Sequence, residues 1–485
     1  MRALAVILCA IAFPGTVAGQ AAVPIDTLRL SLEDAVARAL TESEEIATAR
    51  AQLAQAEAQV TQATAGAFPQ VSAGLTYNRA VKTIFDDFTG PPPVEDADIP
   101  PAFDTAKTPV ERYDLLSELM TRDFMSAMFA GLPFGRKNTY FATFQFAQPL
   151  YVGGKVGAAL RAARHFRSAA NSSLDEAEAD VIWQVRSAYL NAALAARVHE
   201  IAVQSRDVAR AHYRQVELFH NAGTASEFDL LRARVEVENR DPAVVESEHA
   251  ADLALLELKR LTNIPLDQPL ALTTHLEPEM VEVSDDQIQL LVRQRPVLLA
   301  AQDMVAVREQ AVKIAKGDRL PTVSLVGTMG FQAFPENAAP PGFDEWRKDW
   351  NVALAFTWTP FDGFRTRGRI QEAQAQLRLA HLEEAQLREA LDLELSAALA
   401  EYRNARAQIR ARGETVRVAE RTLELAEVRF ANGLSTQLEV SDAALLLDQA
   451  RFNEAQSLFD YGKALAHLER LSGGKLTLFT EAREP

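Results

Sequence analysis

The sequence predicts a mainly α-helical, internally duplicated chain in which each half carries one pair of membrane-type β-strands and one long helical hairpin. Three observations carry that expectation: a self-match at an offset of 210 residues, two helical runs too long for an ordinary core, and four short strands with alternating apolar residues.

The self-match comes from laying Gly223 on Gly433. Asn221-Ala222-Gly223-Thr224-Ala225-Ser226 then faces Ala431-Asn432-Gly433-Leu434-Ser435-Thr436, and Leu258-Lys259-Arg260-Leu261-Thr262 reaches Leu468-Glu469-Arg470-Leu471-Ser472 without a gap. Phe68-Pro69-Gln70-Val71-Ser72 likewise resembles Leu320-Pro321-Thr322-Val323-Ser324, and Gln148-Pro149-Leu150 resembles Thr359-Pro360-Phe361. The expected organisation is a signal over 1–20, a first repeat over 21–270, a linker over 271–284, a second repeat over 285–473 and a tail over 474–485.

Arg2, the apolar run Leu4 to Phe13, and Pro14-Gly15 before Val17-Ala18-Gly19 read as a secretory signal, so export is expected. That run is too short to span a bilayer as a helix, which needs about 20 residues, and no later window comes close. Any membrane crossing therefore falls to strands. The sole cysteine, Cys9, lies inside the signal, where Leu8 and the continuing apolar run speak against a lipid-attachment site. A net charge of −16 argues against a nucleic-acid partner, because phosphate contacts need clustered Lys and Arg.

Each repeat opens with a helix, over 31–66 and 285–317, with breaks expected near Ser43 and near Arg295-Pro296. Ser31, three residues before Asp34, is a plausible cap for the first. Pro69 and Pro321 end these helices and start strands. Strands are expected over 70–78, 139–148, 322–331 and 350–359. Val71, Leu75 and Tyr77 oppose Ser72, Thr76 and Asn78, and Tyr140, Phe144 and Phe146 oppose Thr143 and Gln145. Val323, Leu325 and Met329 repeat the pattern, as do Val352, Leu354, Phe356 and Trp358 against Asn351, Ala353, Ala355 and Thr357. Such alternation over about nine residues fits a lipid-facing barrel strand, or a half-buried soluble sheet.

Long helices follow each strand pair, over 157–221 and 364–431; about 65 residues make a rod of roughly 95 Å. Val416, Ala419, Leu423, Ala426 and Phe430 step by three and four, the seam of a coiled coil. Gly223 and Gly433 reverse the chain into return helices over 225–262 and 435–471, the first of which contains Pro242 and is expected to bend there. The first strand pair encloses a long loop, 79–138, with Gly90-Pro91-Pro92-Pro93 and an amphipathic stretch near 110–130. Four strands cannot close alone, and an open edge is costly in lipid. Three copies would supply a 12-stranded barrel and a cylinder of helices, so a homotrimer in contact with lipid is expected.

No residue pattern points to catalysis, a cofactor or a metal. His165, His199, His212 and His249 are scattered on predicted helices, and Gly153-Gly154-Lys155 lacks the flanking residues of a phosphate loop. It reads as the bend between strand and rod. Trp183 and Tyr189 read as packing residues. A structural or adhesive coiled-coil protein of the cell surface is the alternative to a channel.

Taken in order and in duplicate, these features resemble the TolC-like outer-membrane efflux proteins, the outer membrane factors of tripartite pumps. The resemblance rests on the Phe68-Pro69-Gln70 and Leu320-Pro321-Thr322 junctions, Pro360-Phe361-Asp362-Gly363, and the stretch from Phe430 through Gly433 and Ser435 to Glu439, Val440 and Asp442. It implies a non-enzymatic duct for efflux or type I secretion, located in the outer membrane and extending into the periplasm. The partners it implies are a periplasmic adaptor and an inner-membrane pump transporter. Carried over by position, Gly223, Thr224, Ala225, Gly433, Leu434 and Ser435 become adaptor-docking turns, with Phe430 as tip aromatic. Asp229, Glu439 and Asp442 become acids of the periplasmic entrance. Glu439 stands where aspartate is usual, and Ser435 where an arginine can tie the closed tip. Three copies of the two second-repeat acids would form a cation-attracting ring whose carboxylates titrate together, some of them with raised pKa.

Overall fold

The computed structural model describes residues 27–82, 107–130, 136–274 and 280–476. The expected signal, nearly all of the tail beyond 476 and the Gly90-Pro91-Pro92-Pro93 stretch lie outside these residues. In chain order the elements are β1 (Leu28–Leu30), α1 (Leu32–Glu42), α2 (Glu44–Ala65), β2 (Gln70–Arg79), α3 (Pro109–Ala130), β3 (Asn138–Val152), α4 (Lys155–Asn221) and α5 (Glu227–Leu261). The second half continues with β4 (Leu270–Leu272), α6 (Asp285–Val292), α7 (Pro296–Gly317), β5 (Thr322–Ala333), β6 (Arg347–Thr357), α8 (Arg365–Ala431) and α9 (Gln437–Leu471). Both long helices have 67 residues and both return helices 35, so the two halves match in length as well as in sequence.

The chain divides into two compact units. The unit formed by 55–167 and 303–381 contains the main sheet, which is antiparallel in the order β2-β3-β5-β6. Its register decides what each face presents. Val71 pairs with Phe146 and Tyr77 with Tyr140; Phe144 pairs with Met329; Leu325 pairs with Leu354 and Val323 with Phe356. Side chains alternate along a strand and align across a ladder, so these apolar residues share one face. Ser72, Thr143, Gln145, Thr328 and Asn351 share the other. The apolar face is open: Val71 is 73% exposed and Leu354 65%.

Several strand ends differ from expectation, with β5 running to Ala333 past the expected 331 and β6 starting at Arg347 before the expected 350. β3 runs to Val152, past the expected 148, because it goes on pairing with β5 after its last pair with β2, Pro149, which has no N–H to give, falling at a register irregularity. β6 covers Arg347–Thr357 and stops short of the expected 359, because its partner β5 begins at Thr322, directly after Pro321, and Thr357 takes the last pair. Gly153 and Gly154, at φ of 65° and 75°, then make the bend into α4, where Lys155 Nζ pairs with Asp318 at 2.9 Å. A side chain at Gly153 would collide with the Gly317 carbonyl, 2.5 Å from an ideal Cβ.

The other unit, within 1–54, 168–302 and 382–485, has among its described residues most of the length of the long helices and one short parallel pair, β1 and β4. The breaks fall at Ser43 and before Pro296. Ser31 caps α1 by accepting from Asp34 N at 3.1 Å. Val181, Val185 and Tyr189 of α4 form a core with Leu32, Val36 and Leu258, and the buried Tyr189 hydroxyl donates to Leu30 O at 3.0 Å and accepts from Thr274 N at 2.9 Å. A second core joins Leu395, Leu399 and Tyr402 of α8 to Leu465 and Leu468 of α9. There Tyr402 donates to Val281 O at 2.5 Å and Tyr461 accepts from Val281 N at 2.9 Å, so in each half buried tyrosine side chains pin the backbone of a connecting segment. The Ala419 and Leu423 seam packs against Val440, Ala443, Leu447 and Ala450. α5 runs uninterrupted through Pro242.

Two arginines, one of them buried, tie four of these helical segments. Arg295, 3% exposed and just before α7, pairs with Glu176 of α4 at 2.6 Å and Glu394 of α8 at 3.1 Å. Arg470 of α9 joins them through Glu394 at 3.1 Å and Asp180 at 2.5 Å.

Candidate functional site

The candidate site is the pair of turns that close the hairpins. α4 ends as Gly223 takes φ 77°, so that Thr224 N donates to Phe219 O at 2.8 Å; α8 ends in the same way, with Gly433 at φ 70° and Leu434 N donating to Arg429 O at 2.8 Å. The left-handed residue lets later N–H groups satisfy helix-end carbonyls, which explains a glycine at each place. No atom lies within 4 Å of a Cβ built at either glycine.

The next helices start differently. Ser226 and Asp229 form a reciprocal cap: Asp229 N donates to Ser226 Oγ at 3.2 Å, while the Asp229 carboxylate accepts from Ser226 N at 3.2 Å. In the second repeat Thr436 makes no side-chain cap bond, and the longer Glu439 accepts from Ser435 Oγ at 2.9 Å. That hydroxyl, followed by the Thr436 backbone and Arg429, holds the Glu439 carboxyl below the usual range. The raised values expected of a carboxylate ring concern three copies; in the single chain Glu439 is shifted the other way. Asp442 is exposed one turn further on.

The two turns come together. Phe430 lies 5.7 Å from Phe219 and 5.1 Å from His212, ring centre to ring centre. A cavity of about 490 Å³ between the turns is lined by Val216, Phe219, Thr224, Asp229, Phe430 and Gly433 among others. Gln437 is buried, and with its amide nitrogen toward α5 it donates to Asp229 O at 3.0 Å while its oxygen accepts from Ala233 N at 3.1 Å. Thus Thr224, Ala225, Gly433 and Ser435 gather with Phe430 and Asp229 around one hollow, while Gly223 makes the turn without lining it and Leu434 stands 70% exposed.

Sequence reasoning missed the brace behind the turns. Arg240 of α5 contacts both Ser205 of α4 and Asp448 of α9, while Glu236 accepts from Ser441 at 2.6 Å. Arg240 to Glu236 is 3.7 Å and Ser205 Oγ to Asp448 is 2.6 Å. The only advance signal was polar residues on helices rich in alanine. Nothing in the spacing says which helix faces which.

A duplicated subunit with long hairpins, paired turns and a sheet apolar on one face with both edges open defines a channel-forming subunit. The family model described as outer membrane efflux protein matches residues 125–263 and 287–474, and the chain belongs to that family. It is a TolC-like channel protein, set in the outer membrane and extending into the periplasm. Protein CyaE of Bordetella pertussis is 30% identical over 278 residues, 56% of this chain and 57% of CyaE, so the match spans little more than half of that relative. The cobalt-zinc-cadmium resistance protein CzcC of Cupriavidus metallidurans is 25% identical over 341 residues, 70% of this chain and 78% of CzcC. In structure the chain is similar to the outer membrane channel CmeC of Campylobacter jejuni, with a TM-score of 0.74 at 18% identity, covering 93% of this chain and 87% of CmeC.

Proposed function

We propose that three copies of this chain form a passive duct, with no chemical step of its own, that carries cargo from a periplasm-spanning pump or secretion machine to the cell exterior. The observation that carries the reading is the strand register. All four strands turn their apolar residues to one exposed face, and β2 and β6 each leave an edge that no strand among the described residues fills. In lipid such edges must be paired, and pairing β2 of one copy with β6 of the next closes a 12-stranded barrel at three copies.

The hollow between the turns supports a docking role. Exposed Leu434, the rings of Phe219 and Phe430, and backbone left uncovered at Gly223 and Gly433 offer an apolar seat for a helical-hairpin tip of a periplasmic adaptor. Through that adaptor an inner-membrane transporter is the third partner. The entrance acids take different parts: Asp229 is occupied in a cap, whereas Glu439 and Asp442 are exposed and form the ring. In planar-bilayer recordings, Glu439→Gln with Asp442→Asn is expected to lower cation selectivity. Unchanged selectivity would remove the ring while leaving the duct.

A further inference from the structure

Charge is unevenly distributed in the unit that holds the sheet. The helical segments flanking the strands, residues 55–69, 153–167, 303–321 and 359–381, hold twelve Lys or Arg against six Asp or Glu, in a chain whose net charge is −16. Lys316 and Arg319 stand immediately before β5, and Arg365 and Arg367 shortly after β6. All four are exposed and make no ion pair among the described residues. Exposed aromatic rings stand at the same strand ends. Phe68 precedes β2, Tyr151 is the last residue but one of β3, and Trp358 continues the apolar row of β6, with Phe361 and Phe364 just beyond it. The Trp358 indole donates to Arg319 O at 3.3 Å, which brings the row that faces lipid to the basic segment itself.

Aromatic rings of this kind settle at the boundary between hydrocarbon and headgroups. Cations immediately outside that boundary meet lipid phosphates, and each Lys or Arg near an anionic surface adds to the attraction. We infer that the junction between strands and helices is a collar that binds anionic phospholipid headgroups of the inner leaflet of the outer membrane, through Lys316, Arg319, Arg365 and Arg367. The inference rests on the reading of the strands as membrane-spanning. The phosphate diester with its net negative charge is the recognised chemistry, and the acyl chains lie along the apolar face next to Trp358.

The test uses the full chain, purified in detergent and analysed by native mass spectrometry with added phosphatidylglycerol or phosphatidylcholine. Bound phosphatidylglycerol is expected to exceed phosphatidylcholine, to fall with added salt, and not to be displaced by inorganic phosphate at equal concentration. Replacing the four residues together by glutamine is expected to weaken phosphatidylglycerol binding at least about tenfold. Replacing the three arginines by lysine, with Lys316 kept, is expected to retain it. Equal binding of the two lipids, displacement by inorganic phosphate, or full binding by the glutamine variant would overturn the collar. So would a glutamine variant that keeps its lipid and instead changes ion selectivity, since the cations would then face the lumen. If the chain inserts into no bilayer at all, the failure belongs to the channel reading and not to the collar alone.

Discussion

Placing arginine at Leu354 and, separately, at Ala353 asks which face of β6 meets lipid. Leu354 is the middle of the row Trp350, Val352, Leu354, Phe356 and Trp358, is 65% exposed, and lies across from Leu325. Ala353, one residue away and at nearly the same depth, lies across from Val326 on the opposite face. A guanidinium on the lipid face near mid-membrane costs about 2–4 kcal/mol, whereas a lumen position leaves it in water at little cost. The difference between the variants is therefore about 2–4 kcal/mol per chain, or about 30- to 700-fold in the folding constant at 1.4 kcal/mol per factor of ten. The assay is urea titration of folding into phospholipid vesicles, read by tryptophan fluorescence and by the fraction surviving as an SDS-resistant oligomer. Similar costs for both variants, or a greater cost at Ala353, would refute the assignment of faces.

Three further outcomes follow from the helical unit. Arg295→Gln leaves Glu176 and part of Glu394 without their buried cation, and is expected to cost about 3–5 kcal/mol, seen as a lower unfolding midpoint by circular dichroism. Burial holds the His212 pKa below its ordinary value, with Glu236 pulling the other way. The unfolded chain therefore takes up the proton first as pH falls through about 6.5, and stability declines by at most about 1.4 kcal/mol per pH unit; His212→Gln is expected to flatten that part of the stability profile. Gly433→Ala keeps the space but opposes φ 70°, so about 1 kcal/mol of local stability is expected to be lost, read as faster amide exchange around 428–438.

What was legible in advance was whatever depends on neighbours in sequence. The alternation at Val71, Leu75 and Tyr77 needed only a period of two, the seam through Ala419 and Leu423 only steps of three and four, and the turns only glycine at equivalent places. Strand ends were less legible, because β3 outlasts its pairing with β2, which ends at Ala147, and continues along β5 across the irregularity at Pro149. Least legible were contacts between helices distant in sequence. Arg240 meets Ser205 and Asp448 across 35 and 208 residues, and Arg295 meets Glu176 across 119, distances at which spacing carries no information. The resemblance treated Asp229 and Glu439 alike. Their neighbours and lengths differ: aspartate fits the reciprocal cap with Ser226, while the longer glutamate bonds to Ser435, a hydroxyl that Ala225 lacks in the first repeat.

The central claim is that the open sheet edges close between copies. Electron microscopy of the detergent-extracted oligomer tests it directly, at a resolution that separates strands about 4.8 Å apart. Three-fold symmetry with twelve strands, and β2 of each copy hydrogen-bonded to β6 of the next, is the predicted result; a monomer or another symmetry, with either edge unpaired, would contradict it.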